Sequence, residues 1–385
     1  MVSEWKTVSV GDLGRIITGK TPKTSEERYY GGTIPFVTPS DDMSVKHVIS
    51  TKKMLTDEGV HAVRNCLLPK DTVCVTCIGT VGNVVITSEP SVTNQQINSI
   101  IIDQAKYDVD YIYYLMTILG KRLAFDGQFS SVVPIINRTA FSNYELSVPD
   151  LFTQKKIAAV LSALDNKIEN NNRINDNLAE TLQAIYQHRY STTNQSANYE
   201  TLASICSYSK AKVAVSELTL ASYYSTDNML PNKAGSVLAA SLPPTEQTTR
   251  CVTGDVLVSN IRPYFKKIVY CSNDCGCSPD VLCFTPKKPA LSAYLYCTLY
   301  ADHFFDFMMV GSKGAKMPRG DKQQIMTYAV HMPTEQELRE FNGIAMPALA
   351  QIESLRQENL RLSSLRDTLL PRLISGDIDV SSINL

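Results

Sequence analysis

The chain has 385 residues, enough for two or three domains with sizeable cores. A formal net charge of −1 excludes a protein that coats nucleic acid by bulk positive charge, although residues 201–332 hold 13 Lys and Arg against 9 Asp and Glu. Glu4, Lys6 and Asp12 interrupt any signal peptide and no apolar run is long enough for a membrane span, so the ten cysteines are expected to be reduced thiols in the cytoplasm.

In chain order, Trp5 to Ile17 forms a short amphipathic opening that ends in Gly19-Lys20-Thr21-Pro22. Tyr29 to Asp41 alternates turn residues with short strand material. Strands at Val73–Val75 and Asn83–Ile86 flank the turn Gly79-Thr80-Val81-Gly82. An amphipathic helix from Val109 to Arg122 is followed by a polar loop, Gly127 to Ser131, and a strand leading to Pro149. From Thr153 to Tyr190 the residues Ile157, Leu161, Leu164, Ile168, Asn171, Asn175, Leu178 and Leu182 recur in alternating steps of four and three, the a/d seam of a coiled coil. Residues 191–198 shift to Ser, Thr, Asn and Gln and read as a linker. The second half repeats the order, with strands at Val256–Val258 and Ile268–Cys271, a Tyr-rich helix over Leu291–Phe307, and the loop Gly311 to Lys316. A second seam, Ile352, Leu355, Asn359, Leu362 and Leu369, runs from Pro347 to Leu373, and Pro347 is expected to split Glu335–Met346 from that helix as its first-turn residue. Each seam alone is too narrow to complete a core, so the two helices are expected to pair, with the core Asn residues penalising wrong registers.

Sliding the chain over itself by 184 residues brings Asp71 onto Asp255, Ile100 onto Phe284, Pro134 onto Pro318 and Pro149 onto Pro333. After each of the last pair a capping residue, Asp150 or Thr334, opens a helical segment, and Thr334 with Glu337 has capping-box spacing. The period is too long for a solenoid. The expected architecture is α+β: a globular domain over residues 1–150, a helix over 151–190, the linker, a second domain over 199–333, and a helix with tail over 334–385.

Catalytic chemistry is missing. The five histidines are scattered, no Walker loop occurs, and Gly79-Thr80-Val81-Gly82 reads as a hairpin turn rather than a phosphate cradle. Asn260-Ile261-Arg262-Pro263-Tyr264 superficially resembles the Asn-Pro-Pro-Tyr of adenine methyltransferases, but Arg262 breaks the motif. Cys74 and Cys77 fall on opposite faces of a strand, and Cys271, Cys275, Cys277 and Cys283 lack the paired spacing of structural zinc, so all read as packing thiols and no metal is expected. What the sequence does offer is loop chemistry suited to DNA. Arg262, Tyr264, Lys266 and Lys267 interleave cations with an aromatic, and Ser312, Lys313, Lys316 and Arg319, with Lys322 beyond, form a second basic loop. Arg grips guanine with two bonds, whereas Lys and Ser mostly hold phosphates. The first half is more neutral, leaving Lys20, Thr21, Lys23, Thr80, Asn83, Gln95, Gln96, Ser130, Ser131 and Arg138 as candidates; Gln and Asn suit adenine. The bland alternative for each is a solvated surface loop.

Gln154 to Glu169 (QKKIAAVLSALDNKIE) resembles the central helix of DNA specificity subunits of type I restriction–modification enzymes. Leu365 to Ile378 (LRDTLLPRLISGDI) is similar to their C-terminal tail, and Gly19-Lys20-Thr21-Pro22 with Tyr30, Gly32, Ile34 and Pro35 resembles the opening of their target recognition domains. The resemblance implies two target recognition domains joined by two helices that pack as an antiparallel coiled coil. It implies a non-catalytic subunit that binds a bipartite double-stranded DNA site, one half per domain, and docks two adenine-specific methyltransferase subunits through its helices. S-adenosylmethionine would then reside on those subunits and ATP on a restriction (translocase) subunit. Two other classes stay open: a coiled-coil scaffold that docks proteins without recognising DNA, and an orphan methyltransferase, which the broken motif disfavours.

Overall fold

The computed structural model describes residues 5–48, 50–128, 135–190, 199–312, 314 and 316–383. The chain divides into two compact units, Met1–Asn166 with Ser364–Leu385, and Lys167–Ser363. The expected linker, residues 191–198, lies outside the described residues.

The first unit opens with β1 (Lys6–Ser9), a 3-10 turn and β2 (Gly14–Thr18). Then come β3 (Tyr30–Val37), β4 (His47–Val48), β5 (Met54–Leu55), helix α1 (Asp57–Ala62), β6 (Leu67–Leu68), β7 (Val73–Thr76), β8 (Val84–Thr87), β9 (Ser91–Thr93) and β10 (Ile97–Ile102). One sheet has the order β2-β10-β7-β8-β4, and a second the order β5-β3-β9-β6. Helix α2 (Val109–Gln128) packs on the first sheet. It continues past Arg122 through Gly127, which the sequence assigned to a loop; Leu123-Ala124-Phe125 sustains a helix, and one Gly near its end is tolerated. Helix α3 (Arg138–Ser142) and β11 (Glu145–Val148), antiparallel to β1, complete the domain.

Val73, Val75, Ile86 and Ile100 enter one core with Tyr111, Leu115 and Leu119 of α2. The start of helix α4 (Leu151–Tyr190) adds Ile157 and Leu161 to this core, and Leu370 and Leu373 join it. Cys74 and Val85 face the other way, onto Ile17, Val37 and Leu68. A sheet buried on both faces gives unbroken apolar runs instead of alternation. The approach of α2 is close enough that Gly82 and Gly120 meet backbone to backbone: a Cβ on either would lie 2.1 Å from the other's carbonyl oxygen.

The second unit holds β12 (Tyr199–Thr201), β13 (Cys206–Tyr208), β14 (Lys212–Ala214), β15 (Tyr223–Tyr224), β16 (Gln247–Cys251), β17 (Val256–Ser259), β18 (Ile268–Tyr270), β19 (Cys275–Cys277) and β20 (Val281–Pro286). After them come α5 (Ser292–Tyr300), α6 (Asp302–Val310), α7 (Lys322–Ile325), β21 (Ala329–His331) and α8 (Glu335–Ile374). The sheet order β13-β20-β17-β18 repeats β2-β10-β7-β8, and β12 pairs with β21 as β1 does with β11. The Tyr-rich helix is in fact two, broken where Ala301 adopts an extended conformation (φ −63°, ψ 140°), with Asp302 beginning the second where a helix favours negative charge.

The repeat registers one residue differently at its central strand. Val73 and Val256 both enter the helix-covered core, and Cys74 and Leu257 both face away. The left-handed Asp71 (φ 63°) therefore corresponds to Gly254 (φ 93°), not to Asp255. Aligning Asp71 with Asp255 would have turned each strand residue to the wrong face.

Both long helices begin at side-chain caps. Asp150 Oδ1 accepts from the N–H groups of Phe152 and Thr153, and Thr334 and Glu337 form the reciprocal capping box. Their contacts run in opposite directions along the chain. In the first unit Asp165 meets Arg366; in the second, Asn171 meets Asn359 and Arg189 meets Glu340. The helices are therefore antiparallel. Ile157, Leu161, Asn171, Leu182 and Leu355 are buried, and Leu164, Ile168, Asn175, Leu178, Ile352, Asn359, Leu362 and Leu369 partly so. Asn171 Nδ2 donates to Asn359 Oδ1 (2.8 Å) and Glu358 Oε2 (2.9 Å), while Asn175 Oδ1 is buried without a partner. Contrary to expectation, Pro347 does not split α8. Pro347 and Gly343, whose carbonyl loses its helical partner, are both exposed, so water can satisfy that carbonyl.

Candidate nucleic-acid interface

In the second unit the loop joining β17 to β18 is held in an unusual shape. Arg262 (φ 50°, ψ 64°) and Lys266 (φ 50°, ψ 48°) are both left-handed and flank a 3-10 turn over Pro263–Phe265. Non-glycine residues in this region are strained unless their surroundings fix them. Here the fixing contacts are plain. The Arg262 N–H donates to the Pro318 carbonyl (2.8 Å), and an isolated bridge joins Ile261 to Arg319. The N–H groups of Asn232 and Lys233, also left-handed, donate to the carbonyls of Phe265 and Lys266 (2.8 and 2.9 Å). The two basic loops singled out in the sequence thus meet at Arg262 and Arg319.

Their cations are not equally available. Lys266 and Lys233 both bind Asp302 (2.8 and 2.7 Å), and these hydrogen bonds hold its carboxyl at about 2. The Lys267 ammonium donates to the Thr226 carbonyl, and burial lowers its pKa. Arg319 pairs with Asp280 (3.1 Å) in an exposed contact. The Arg262 Nε is buried without a hydrogen-bond partner. Ser312 is occupied by the end of α6, its hydroxyl donating to the Met309 carbonyl, and Lys316 and Tyr264 are exposed. Lys313 lies outside the described residues, as do Ser130 and Ser131 of the first domain.

The equivalent loop of the first unit is pinned in the same way, by a bridge from Ile78 to Ile135. Around it, Thr21 Oγ1 donates to Gln95 Oε1 (2.7 Å), and the Lys20 N–H to the Thr93 carbonyl. Gln96 is used internally, its amide donating to the Ile78 carbonyl and its oxygen accepting from Asn94. Asn83 pairs through its backbone with Thr76. Lys20, Lys23, Thr80 and Gln95 remain exposed. Arg138 and Lys322 begin the equivalent helices α3 and α7, each behind a side-chain cap, Asn137 or Asp321. The sequence reading missed Asn232, Lys233, Phe265 and Asp302. Only Pro231-Asn232-Lys233-Ala234-Gly235 carried a local signal, that of a turn.

The cysteines gather as packing groups. Cys271, Cys275, Cys277 and Cys283 share one buried cluster with Cys251, which the sequence did not connect to them. Among the described residues no group of three or more His, Cys, Asp or Glu is placed to hold a metal ion, and no helix is long and apolar enough to cross a membrane.

Residues 2–180 match the family described as type I restriction modification DNA specificity domain. Over that stretch the chain is similar to this family. It is 35% identical over 176 residues to a type I restriction enzyme HindI specificity subunit of Haemophilus influenzae, covering 43% of this chain and 38% of that protein. It is 28% identical over 188 residues to the MjaIX specificity subunit of Methanocaldococcus jannaschii, covering 48% and 43%. The matched stretches thus span less than half of either relative's length. A crystal structure of the type I restriction-modification S subunit from M. genitalium shares the fold across 96% of both chains, with a TM-score of 0.60 at 16% identity. The matched stretch, residues 2–180, takes in the first globular domain and most of α4, and the second unit repeats the central sheet order of the first.

Proposed function

We propose that this chain is the sequence-reading, non-catalytic subunit of a type I restriction–modification complex. Each globular domain reads one half of a bipartite duplex site. The antiparallel helices dock two adenine-specific methyltransferase subunits, which carry S-adenosylmethionine, and ATP belongs to accompanying restriction subunits, all in the cytoplasm. The observation that carries this reading is a duplicated scaffold whose equivalent loops are pinned at the same place but filled with different chemistry. Two domains of one fold and unlike surface suit two unlike half-sites. Phosphates supply affinity and base edges supply sequence; in the second domain Arg262 is the base-reading candidate and Lys316 a phosphate contact.

The test is selection of bound duplexes from a randomised pool by the full chain with its methyltransferase partner, followed by mapping of methylated adenines. A split motif with an unread gap is expected. Tight assembly with the partner and no enriched sequence would favour a protein scaffold and refute this function.

A further inference from the structure

We infer that Tyr264 and Phe265 form a stacking wedge, a preformed aromatic tip that enters one base step in the half-site read by the second domain. This rests on the DNA-binding function above and adds how the loop engages the duplex. Tyr264 is 48% and Phe265 38% exposed, and their rings lie against each other, centroids 4.7 Å apart, rather than in the core. Exposed neighbouring aromatics on a flexible loop would fold back onto apolar surface; these are prevented from doing so. Arg262 and Lys266, at the two ends of the turn, and Asn232 and Lys233 beside it, are left-handed, a conformation that glycine would adopt without strain. The Phe265 N–H donates to the Arg262 carbonyl (3.0 Å) and the Lys266 N–H to that of Pro263 (2.8 Å). Lys233 and Lys266 are clamped on one carboxylate, Asp302. Strain that is this fully supported keeps the tip rigid and outward.

The surroundings decide the occupant. Arg262, Lys266 and Lys267 adjoin the tip along the chain, the Lys267 ammonium 5.9 Å from the Phe265 ring centre, and Lys233 is bonded through its backbone to Lys266, against Asp302 and Asp227. An apolar protein pocket gains nothing from that surplus of cations. A base step offers flat π faces between phosphates, and aromatic rings stack on any base while apolar wedges open such steps. The equivalent turn of the first domain, Gly79-Thr80-Val81-Gly82, has no aromatic residue. The distortion is therefore confined to one half-site.

The experiment uses the full chain with its methyltransferase partner and a duplex from the selection above, each adenine in turn replaced by 2-aminopurine. One position in the second half-site brightens several-fold on binding and none does so in the first. The signal is lost in the double variant Tyr264→Ala, Phe265→Ala and kept in Tyr264→Trp, while the salt dependence of binding is unchanged because no phosphate contact is lost. An abasic analogue at the bright step tightens wild-type binding several-fold, since the unstacking is already done, and tightens the double variant less. A bright step that persists in the double variant overturns the wedge. So does an unchanged bright step in a variant that no longer assembles with the methyltransferase subunit, which would make the tip a protein contact. A wild-type chain that selects no sequence refutes the DNA function itself, a different result from selection without a tip-dependent step.

Discussion

Asp165 offers a direct test of what fixes the helix pair to the first domain. Its Oδ1 accepts from Arg366 Nη1 on α8 (2.9 Å), and its Oδ2 from the hydroxyl of Tyr114 on α2 (2.5 Å). The side chains of Asp165 and Arg366 are 14% and 30% exposed, and Tyr114 is buried. Beside them Lys46 binds Asp110 and Ser162 (2.9 Å each). Replacing Asp165 by Ala leaves the Tyr114 hydroxyl without its charged acceptor, which costs about 1.5–3 kcal/mol. It also removes a half-buried ion pair. Breaking a fully buried pair costs about 3–5 kcal/mol, but Arg366 keeps Asp367 at 2.9 Å and is partly hydrated, so about 1 kcal/mol is the reasonable share here. The expected loss is about 2.5–4 kcal/mol in all. Arg366→Ala costs less, because Tyr114 keeps its acceptor.

The assay is built into the chain. Its single tryptophan, Trp5, belongs to this unit and lies against Gly376 at the end of α8. Tryptophan fluorescence in urea therefore reports this unit, and a cycle of Asp165→Ala, Arg366→Ala and the double variant isolates the pair. A coupling of about 1 kcal/mol is expected; single variants that add to within about 0.3 kcal/mol would show that the pair is a surface ornament.

Other outcomes follow from the same geometry. Arg262→Ala should cost about 1–3 kcal/mol of discrimination between the selected and random duplexes, whereas Lys316→Ala should weaken both alike and reduce the salt slope by about one; binding titrations at several salt concentrations check both. Replacing Asn171 and Asn359 together by Leu should raise the urea midpoint of the second unit while loosening helix register, seen by cross-linking of engineered cysteines; a lower midpoint would mean the amides stabilise outright. The Asp302 carboxyl, held at about 2 by Lys233 and Lys266, contributes stability that is full above its unfolded value near 3.8 and lost as pH falls through about 2. Asp302→Asn should flatten that part of the acid-unfolding curve, and an unaltered curve would deny the clamp. Exchanging residues 1–148 for those of a relative should change one half of the methylated motif alone; a change in both halves would end the modular reading.

The parts legible in the sequence were those with a long-range period. Two heptad seams and a repeat near 184 residues expose the architecture because each landmark is reinforced by many others. What stayed hidden depended on contacts between distant segments. The central strands of the repeat were misaligned by one residue because a sheet buried on both faces has no alternation to fix its register. Pro347 looked like a helix boundary because the sequence does not reveal that its turn faces water. Lys266 looked like a free cation because its partner, Asp302, lies 36 residues away at the start of another helix. The basic loops were visible as composition; their clamping and strain were not.

The loops that follow the two central strands differ in chemistry although both are fixed where they leave the sheet. In each domain the loop leaves the central strand at an isolated bridge, Ile78 to Ile135 or Ile261 to Arg319, and returns in the next antiparallel strand. Inside the bridge, side chains enter a core shared with the long helices; outside it, the first domain has a glycine turn and the second a strained aromatic tip. Substitutions outside the bridge alter the surface that the proposed function turns toward DNA without changing the residues that pack on α4 and α8. That separation lets the loop chemistry differ while each unit keeps its own helix register, Asp165–Arg366 in the first and Asn171–Asn359 in the second. It also places the backbone strain, the left-handed Arg262 and Lys266, in the loop beyond the bridge rather than in the strands that build the core.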